Sequence, residues 1–134
     1  MTPCDVHKSR GLPHTVILIP AFNEGDVIAD VVAEVRATCD FPVIVIDDAS
    51  SDDTIARAKQ AGAEVIPLPA QLGAWGATQT GLRYALRRGY DVAITMDADG
   101  QHGAGSIAEL ARPVAQGIAD VSIGACPERG SLLR

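Results

Sequence analysis

Val43-Ile44-Val45-Ile46-Asp47-Asp48-Ala49-Ser50-Ser51-Asp52-Asp53 sets four β-branched apolar residues directly against a run of aspartate and serine. A short, unbroken apolar run bounded by turn residues reads as a strand buried on both faces. The serines and aspartates that close it can cap a helix over about residues 53–61, with Gly62 just beyond its end. The same alternation extends in both directions. Upstream, Val16-Ile17-Leu18-Ile19 is an apolar run ended by Pro20, and Val27, Ile28, Val31, Val32 and Val35 then recur as one face of a helix. Downstream, Glu64 to Pro67 is a short strand. The loop Gln71-Leu72-Gly73-Ala74-Trp75-Gly76 leads into a helix through Leu82, Tyr84, Ala85 and Leu86, which Gly89 stops. Val92 to Met96 is a fourth strand. Ser106-Ile107-Ala108-Glu109 has the capping-box pattern of a helix start, and Pro113 should kink or shorten that helix. Val121-Ser122-Ile123-Gly124 is a last candidate strand. Strand and helix in alternation predict an α/β fold, a mostly parallel sheet with right-handed crossovers and helices on both faces.

Composition narrows the class. The 134 residues fit one domain, 47% hydrophobic and only 4% aromatic, so the core should be built of Val, Ile, Leu and Ala. A net charge of −6 offers no basic surplus to neutralise phosphates and argues against a nucleic-acid partner. Arg83, Arg87 and Arg88 form one basic cluster on a single predicted helix. Such a cluster is usually a solvated face, less often a surface for an anionic substrate or membrane. Cys4, Cys39 and Cys126 have neither metal-ligand spacing nor the count of a disulfide framework, which fits a reducing cytoplasm. Residues 1–14 are polar, lack the apolar core of a signal peptide, and read as a flexible arm before a domain over residues 15–134. No apolar run is long enough to span a bilayer, so any membrane association is expected to be peripheral, at the inner face.

In open parallel sheets, ligands sit beyond the carboxyl ends of the strands. The acidic and small polar residues of this chain fall at those ends: Asn23 and Glu24 after the first strand, Asp47 and Asp48 after the second, Asp97 and Asp99 after the fourth. Carboxylates gathered at one rim raise one another's pKa unless a cation compensates. Asp97 and Asp99, one residue apart in extended backbone, project to the same side and offer hard oxygen ligands for Mg²⁺ or Mn²⁺. Gln101 lies on that side and could add an amide oxygen. An EF-hand loop starting at Asp97 is excluded, because its sixth position is His102 rather than glycine and its twelfth is Ala108 rather than glutamate. His102 itself reads more simply as a solvated loop residue than as a ligand. No G-x-x-x-x-G-K-[ST] or G-x-G-x-x-G follows the first strand, so phosphates would be held mainly by metal. Gly73, Gly76 and Gly81 read instead as close-approach glycines in a loop that opens a helix. No serine or cysteine has an evident triad partner.

Four segments together resemble the family 2 glycosyltransferases, most closely the dolichol-phosphate mannosyltransferase-like branch. They are Ile19-Pro20-Ala21-Phe22-Asn23-Glu24, Val45 through Thr54, Leu72-Gly73-Ala74-Trp75-Gly76-Ala77, and Met96-Asp97-Ala98-Asp99-Gly100-Gln101-His102. The likeness runs from about Thr15 to Gly124. It implies a glycosyltransferase A fold, with a Rossmann-like half that binds a nucleoside-diphosphate sugar, GDP- or UDP-linked. By the resemblance, Pro20, Phe22, Asn23 and Glu24 line the nucleotide pocket, with Phe22 in place of the usual tyrosine. Asp48 contacts the base, with Ile46 beside it. Ala49 replaces the usual glycine and is expected to take ordinary backbone angles. Asp97, Ala98, Asp99 and Gln101 match the family's metal and diphosphate site, with Asp99 the residue on which catalysis should depend most. The implied reaction is inverting transfer, in which a metal neutralises charge on the departing diphosphate. A polyprenyl-phosphate acceptor, already ionised near neutral pH, would need no general base.

Two other readings remain open. The chain could be a non-catalytic nucleotide-sugar-binding module, or a subunit completed by another chain. A sugar-phosphate nucleotidyltransferase fits less well, because Ala21-Phe22-Asn23-Glu24 stands where a Gly-rich loop and arginine are expected.

Overall fold

A computed structural model describes residues 13–99 and 107–124. Eight elements alternate along them: β1 (Thr15–Ala21), α1 (Ile28–Thr38), β2 (Val43–Asp47), α2 (Thr54–Gln60), β3 (Glu64–Pro67), α3 (Gly73–Arg87), β4 (Val92–Thr95) and α4 (Ile107–Ala115). The four strands form one sheet in the order β3-β2-β1-β4, and every pairing is parallel. The expected α/β architecture is therefore present. All four carboxyl ends lie along one edge.

Each strand's apolar run feeds two cores because successive side chains leave the sheet on opposite faces. Ile17, Ile19, Val43 and Val45 pack with Ile28, Val31, Val32 and Val35 of α1, Ala58 of α2 and Ile107 of α4. Val16, Leu18, Ile44 and Ile46 pack on the other face with Ala77 and Ala85 of α3. Helices thus cover both faces, and the core is aliphatic as the composition predicts. Each fully buried Ile, Leu or Val contributes roughly 1.5–3 kcal/mol of transfer free energy.

Several local expectations are corrected. Pro20 does not end β1, which runs to Ala21 with Pro20 opposite Ile46. Leu18 O accepts from Met96 N, so Pro20, two residues on, turns its nitrogen to the same side, where pairing with β4 has already stopped at Leu18. A missing N–H costs no ladder bond there. His14, assigned to the arm, is docked: its carbonyl accepts from Asp91 and Val92 N–H, and its ring stacks on Tyr90 at 4.2 Å. Pro113 lies inside α4, which ends two residues later at Ala115. Val121–Gly124 is not a strand. Among the described residues nothing pairs on the outer side of β4, and an extended segment without a neighbour has no ladder to join. The proposed opening Ser106 lies outside the described residues, as do residues 1–12.

The stretch from Gly73 to Gly81 is helix, not loop. Gly73 starts α3 with φ of 82°, a left-handed value that glycine takes without steric cost. Gly81 lies mid-helix, where a Cβ would come within 2.8 Å of Ile46 Cδ1 and 3.3 Å of Leu18 Cδ1. The close approach assigned to these glycines is real at Gly81, between helix and sheet.

Candidate functional site

The rim at the carboxyl edge is assembled by side chains that close the β1 and β2 loops onto one another. Ala21, Asp47 and Pro67 stand level across the three strands β1, β2 and β3. Beyond that level the backbone leaves the sheet, and its N–H groups need new acceptors. Asn23 supplies one: its Oδ1 accepts from Ser51 N at 2.8 Å, while its own N–H donates to Ser50 Oγ at 2.9 Å. Its φ of 50° is left-handed, a region asparagine tolerates better than most residues. Glu24 N donates to Thr54 Oγ1 at 3.0 Å, and Gly25 N to Asp52 Oδ2 at 3.0 Å. Asp52 Oδ1 in turn accepts from Thr54 N and, in a short bond, from the Thr54 hydroxyl. That hydroxyl bond is the main reason the Asp52 carboxyl is held below its ordinary value, with the Thr54 and Gly25 amides adding to it.

Asp48 performs a related task over a longer range. It is almost wholly buried, and its Oδ1 and Oδ2 accept from Leu72 N at 2.7 Å and Gly73 N at 2.9 Å. Those are the first amides of α3, whose own N-cap position, Leu72, makes no side-chain cap bond. A carboxylate at a helix N-terminus satisfies orphan donors and complements the dipole. Ile46, two residues before Asp48, is fully buried against α3.

Asp47 is different. It is 1% exposed; its Oδ2 accepts from Ser50 N at 3.0 Å, and its Oδ1 has no hydrogen-bond partner among the described residues. A buried carboxylate oxygen left unpaired carries a desolvation cost that a bound donor would offset.

On the other side of β1, Ala98 is buried in the same core as Ile19 and Ala21, while Asp97 and Asp99 on either side of it are exposed. Leu18 pairs with Thr95, so continuing that register brings Asp97 level with Pro20. Phe22, directly after β1, is 42% exposed beside the rim.

The expected gathering of carboxylates from three turns around one cation is not found. Among the described residues no three acidic, histidine or cysteine side chains stand close enough to hold a metal. The Asp48 and Asp52 carboxylates instead accept from backbone N–H groups. Carboxylate oxygens suit Mg²⁺ or Mn²⁺, which keep waters and take phosphate oxygens as well, and Asp97 and Asp99 are two such side chains exposed at this edge. They do not make a dedicated protein cage. Gln101 and His102 lie outside the described residues. The expectation for Ala49 is overturned: its φ is 62°, in the left-handed region, not ordinary. The fold there still requires what glycine would have supplied. Cys39 forms no disulfide, and its partial burial pushes its thiol pKa up, which favours the protonated form.

Sequence reasoning missed the tasks of Ser50, Ser51, Asp52 and Thr54, and the distinction between Asp47 and Asp48. One signal was present: Ser, Thr and Asp in a short run after a buried strand usually bond nearby backbone.

Comparison with known proteins places this edge in a wider set. The profile of glycosyl transferase family 2 matches residues 16–132. The polyprenol monophosphomannose synthase of Mycolicibacterium smegmatis is 32% identical over 132 residues, covering 93% of this chain and 49% of its own. The undecaprenyl-phosphate mannosyltransferase of Micrococcus luteus is 36% identical over 113 residues, covering 80% and 46%. The chain thus spans about half the length of these curated relatives. Among solved structures, the glucosyl-3-phosphoglycerate synthase of Mycobacterium tuberculosis, crystallised with Mn²⁺, uridine diphosphate and glucosyl-3-phosphoglycerate, superposes with a TM-score of 0.66 at 24% identity. It covers 82% of this chain and 42% of that one, and shares the glycosyltransferase A fold. With a family match that takes in all four strands and the whole rim, the chain belongs to glycosyl transferase family 2.

Proposed function

We propose that this chain is the donor-binding part of a metal-dependent, inverting glycosyltransferase that moves a sugar from a nucleoside-diphosphate sugar to a polyprenyl phosphate. The observation that carries the reading is the unpaired, buried Asp47 Oδ1 at the sheet edge, in a chain of this family. A nucleobase edge presents N–H donors of the kind that oxygen lacks. Phe22 supplies a ring for the base or ribose, and Pro20, Asn23, Glu24 and Ile46 hold the pocket wall. Asp48 acts through α3, whose first turn it anchors. Asp97 and Asp99, with Ala98 tucked beneath them and Gln101 following, hold Mg²⁺ or Mn²⁺ against the diphosphate. The cation supplies charge neutralisation for the leaving group. The lipid-phosphate acceptor is suggested by the names of the relatives, which act on polyprenol and undecaprenyl phosphates.

Thermal unfolding tests the donor half. UDP or GDP with Mn²⁺, at about a hundredfold excess over Kd, should raise Tm by roughly 5–10 °C. Asp99→Ala should remove that rise while leaving the unliganded Tm within a degree or two. No rise with either nucleotide sinks the assignment. A second reading keeps its place: a nucleotide-sugar-binding module, or a subunit that another chain completes. Donor binding without transfer to a polyprenyl phosphate would favour it.

A further inference from the structure

The basic cluster singled out in the sequence is not absorbed by the donor site. Arg88 caps the end of α3 and lies over the Tyr84 ring, with its Cζ 5.2 Å from the centroid. Arg83 and Arg87 remain on the exposed surface. At about 100° per residue, α3 has two opposed faces. Ala77, Gly81 and Ala85, spaced by four, are buried against the sheet. About 100–160° around the axis from Gly81 lie Trp75, Gln79, Leu82 and Leu86, and Arg83 and Arg87, one turn apart, continue the outer side beyond them. Three of these are large apolar side chains left in water: Trp75 is 71% exposed, Leu82 39% and Leu86 77%. Leu72, at the start of the helix, is 57% exposed.

We propose that this outward face of α3 docks onto an anionic membrane surface, with Trp75, Leu82 and Leu86 entering the headgroup boundary and Arg83 and Arg87 on lipid phosphates. Charge decides the occupant. The chain carries a net −6, yet this stripe is flanked by arginines alone among its charged helical neighbours, which complements an anionic bilayer. Tryptophan suits the wet, apolar headgroup region. From Trp75 to Leu86 the helix runs about 16 Å, so the stripe lies flat along a surface rather than piercing it. No helix among the described residues is long and apolar enough to cross a membrane. The stripe also begins at the donor rim, because Asp48 holds the Leu72 and Gly73 amides that open α3. Docking on this face would bring the rim to the plane in which a lipid phosphate sits. In that respect the inference rests on the acceptor named under the proposed function, and it adds the surface that delivers it.

The chain holds a single tryptophan, so Trp75 reports its own environment. The 134-residue chain, without nucleotide or metal, is titrated with phosphatidylcholine vesicles and with vesicles one-third phosphatidylglycerol. The expected result is blue-shifted emission and co-sedimentation with the anionic vesicles, reversed by high salt. Leu86→Glu should weaken partitioning at least tenfold, and Arg83→Gln with Arg87→Gln on the order of tenfold, on anionic vesicles only. Both variants should keep the wild-type Tm and the nucleotide-induced rise, which separates failure here from failure of the donor reading. Absence of binding, or binding that Leu86→Glu leaves intact, overturns the proposal. So does a dimer in sedimentation that Leu86→Glu dissolves while vesicles bind neither form, since a second copy would then cover the stripe.

Discussion

Ala49 stands at φ of 62° directly after two buried aspartates, in the turn that carries the rim. A left-handed conformation costs an L-residue roughly 1–2 kcal/mol because its Cβ crowds the following carbonyl. Glycine escapes that cost but loses more entropy on ordering, by about 0.5–1 kcal/mol. The difference predicts that Ala49→Gly stabilises the chain by about 0.5–1 kcal/mol, read as a Tm increase of a few degrees. Asp52 yields a second prediction at this scale. Its folded carboxyl is held below 3.8, chiefly by the Thr54 hydroxyl, so its contribution is present above that value and disappears as pH falls through the folded pKa. Asp52→Asn should therefore melt lower than wild type at neutral pH, and the two curves should converge in strong acid. Melting scans across that range check the sign; a gap that widens in acid would refute it.

Elements come together here through contacts whose partners are distant in sequence. The α3 N-terminus is capped from the β2 loop by Asp48, and its middle lies on Ile46 and Leu18 with no room for a side chain at Gly81. Alanine at position 81 has the better helix propensity by about 1 kcal/mol, but overpacking a closed core costs roughly 1–3 kcal/mol. Ile46 is fully buried and cannot swing clear. The packing cost wins, so Gly81→Ala should lower stability by about 1 kcal/mol, measured by urea unfolding. Its own polar ladder lets β1 hold Pro20 without loss, because the pairing with β4 has ended two residues earlier. That is why a residue read as a strand terminator sits inside a strand.

Across the molecule, the order of strands and helices was legible before any coordinates, and so was the edge where the acidic loops meet. Apolar runs of four β-branched or branched residues force burial on both faces, and burial on both faces demands covering helices. That logic is local and needs no partner to be known. The Val121–Gly124 segment shows its limit, since a strand pattern becomes a strand only where a neighbouring ladder exists. The carboxylates show the same limit in chemistry. Sequence placed six polar positions on one rim, but a carboxylate's task depends on which N–H groups reach it. Asp48 and Asp52 went to backbone amides, Asp47 kept one oxygen unpaired, and Asp97 and Asp99 stayed at the surface. Periodicity and residue type, which act over a few neighbours, determined the α/β alternation and the aliphatic core. Hydrogen-bond partners twenty to thirty residues away, visible only once the sheet had brought the loops together, decided which acids build the rim.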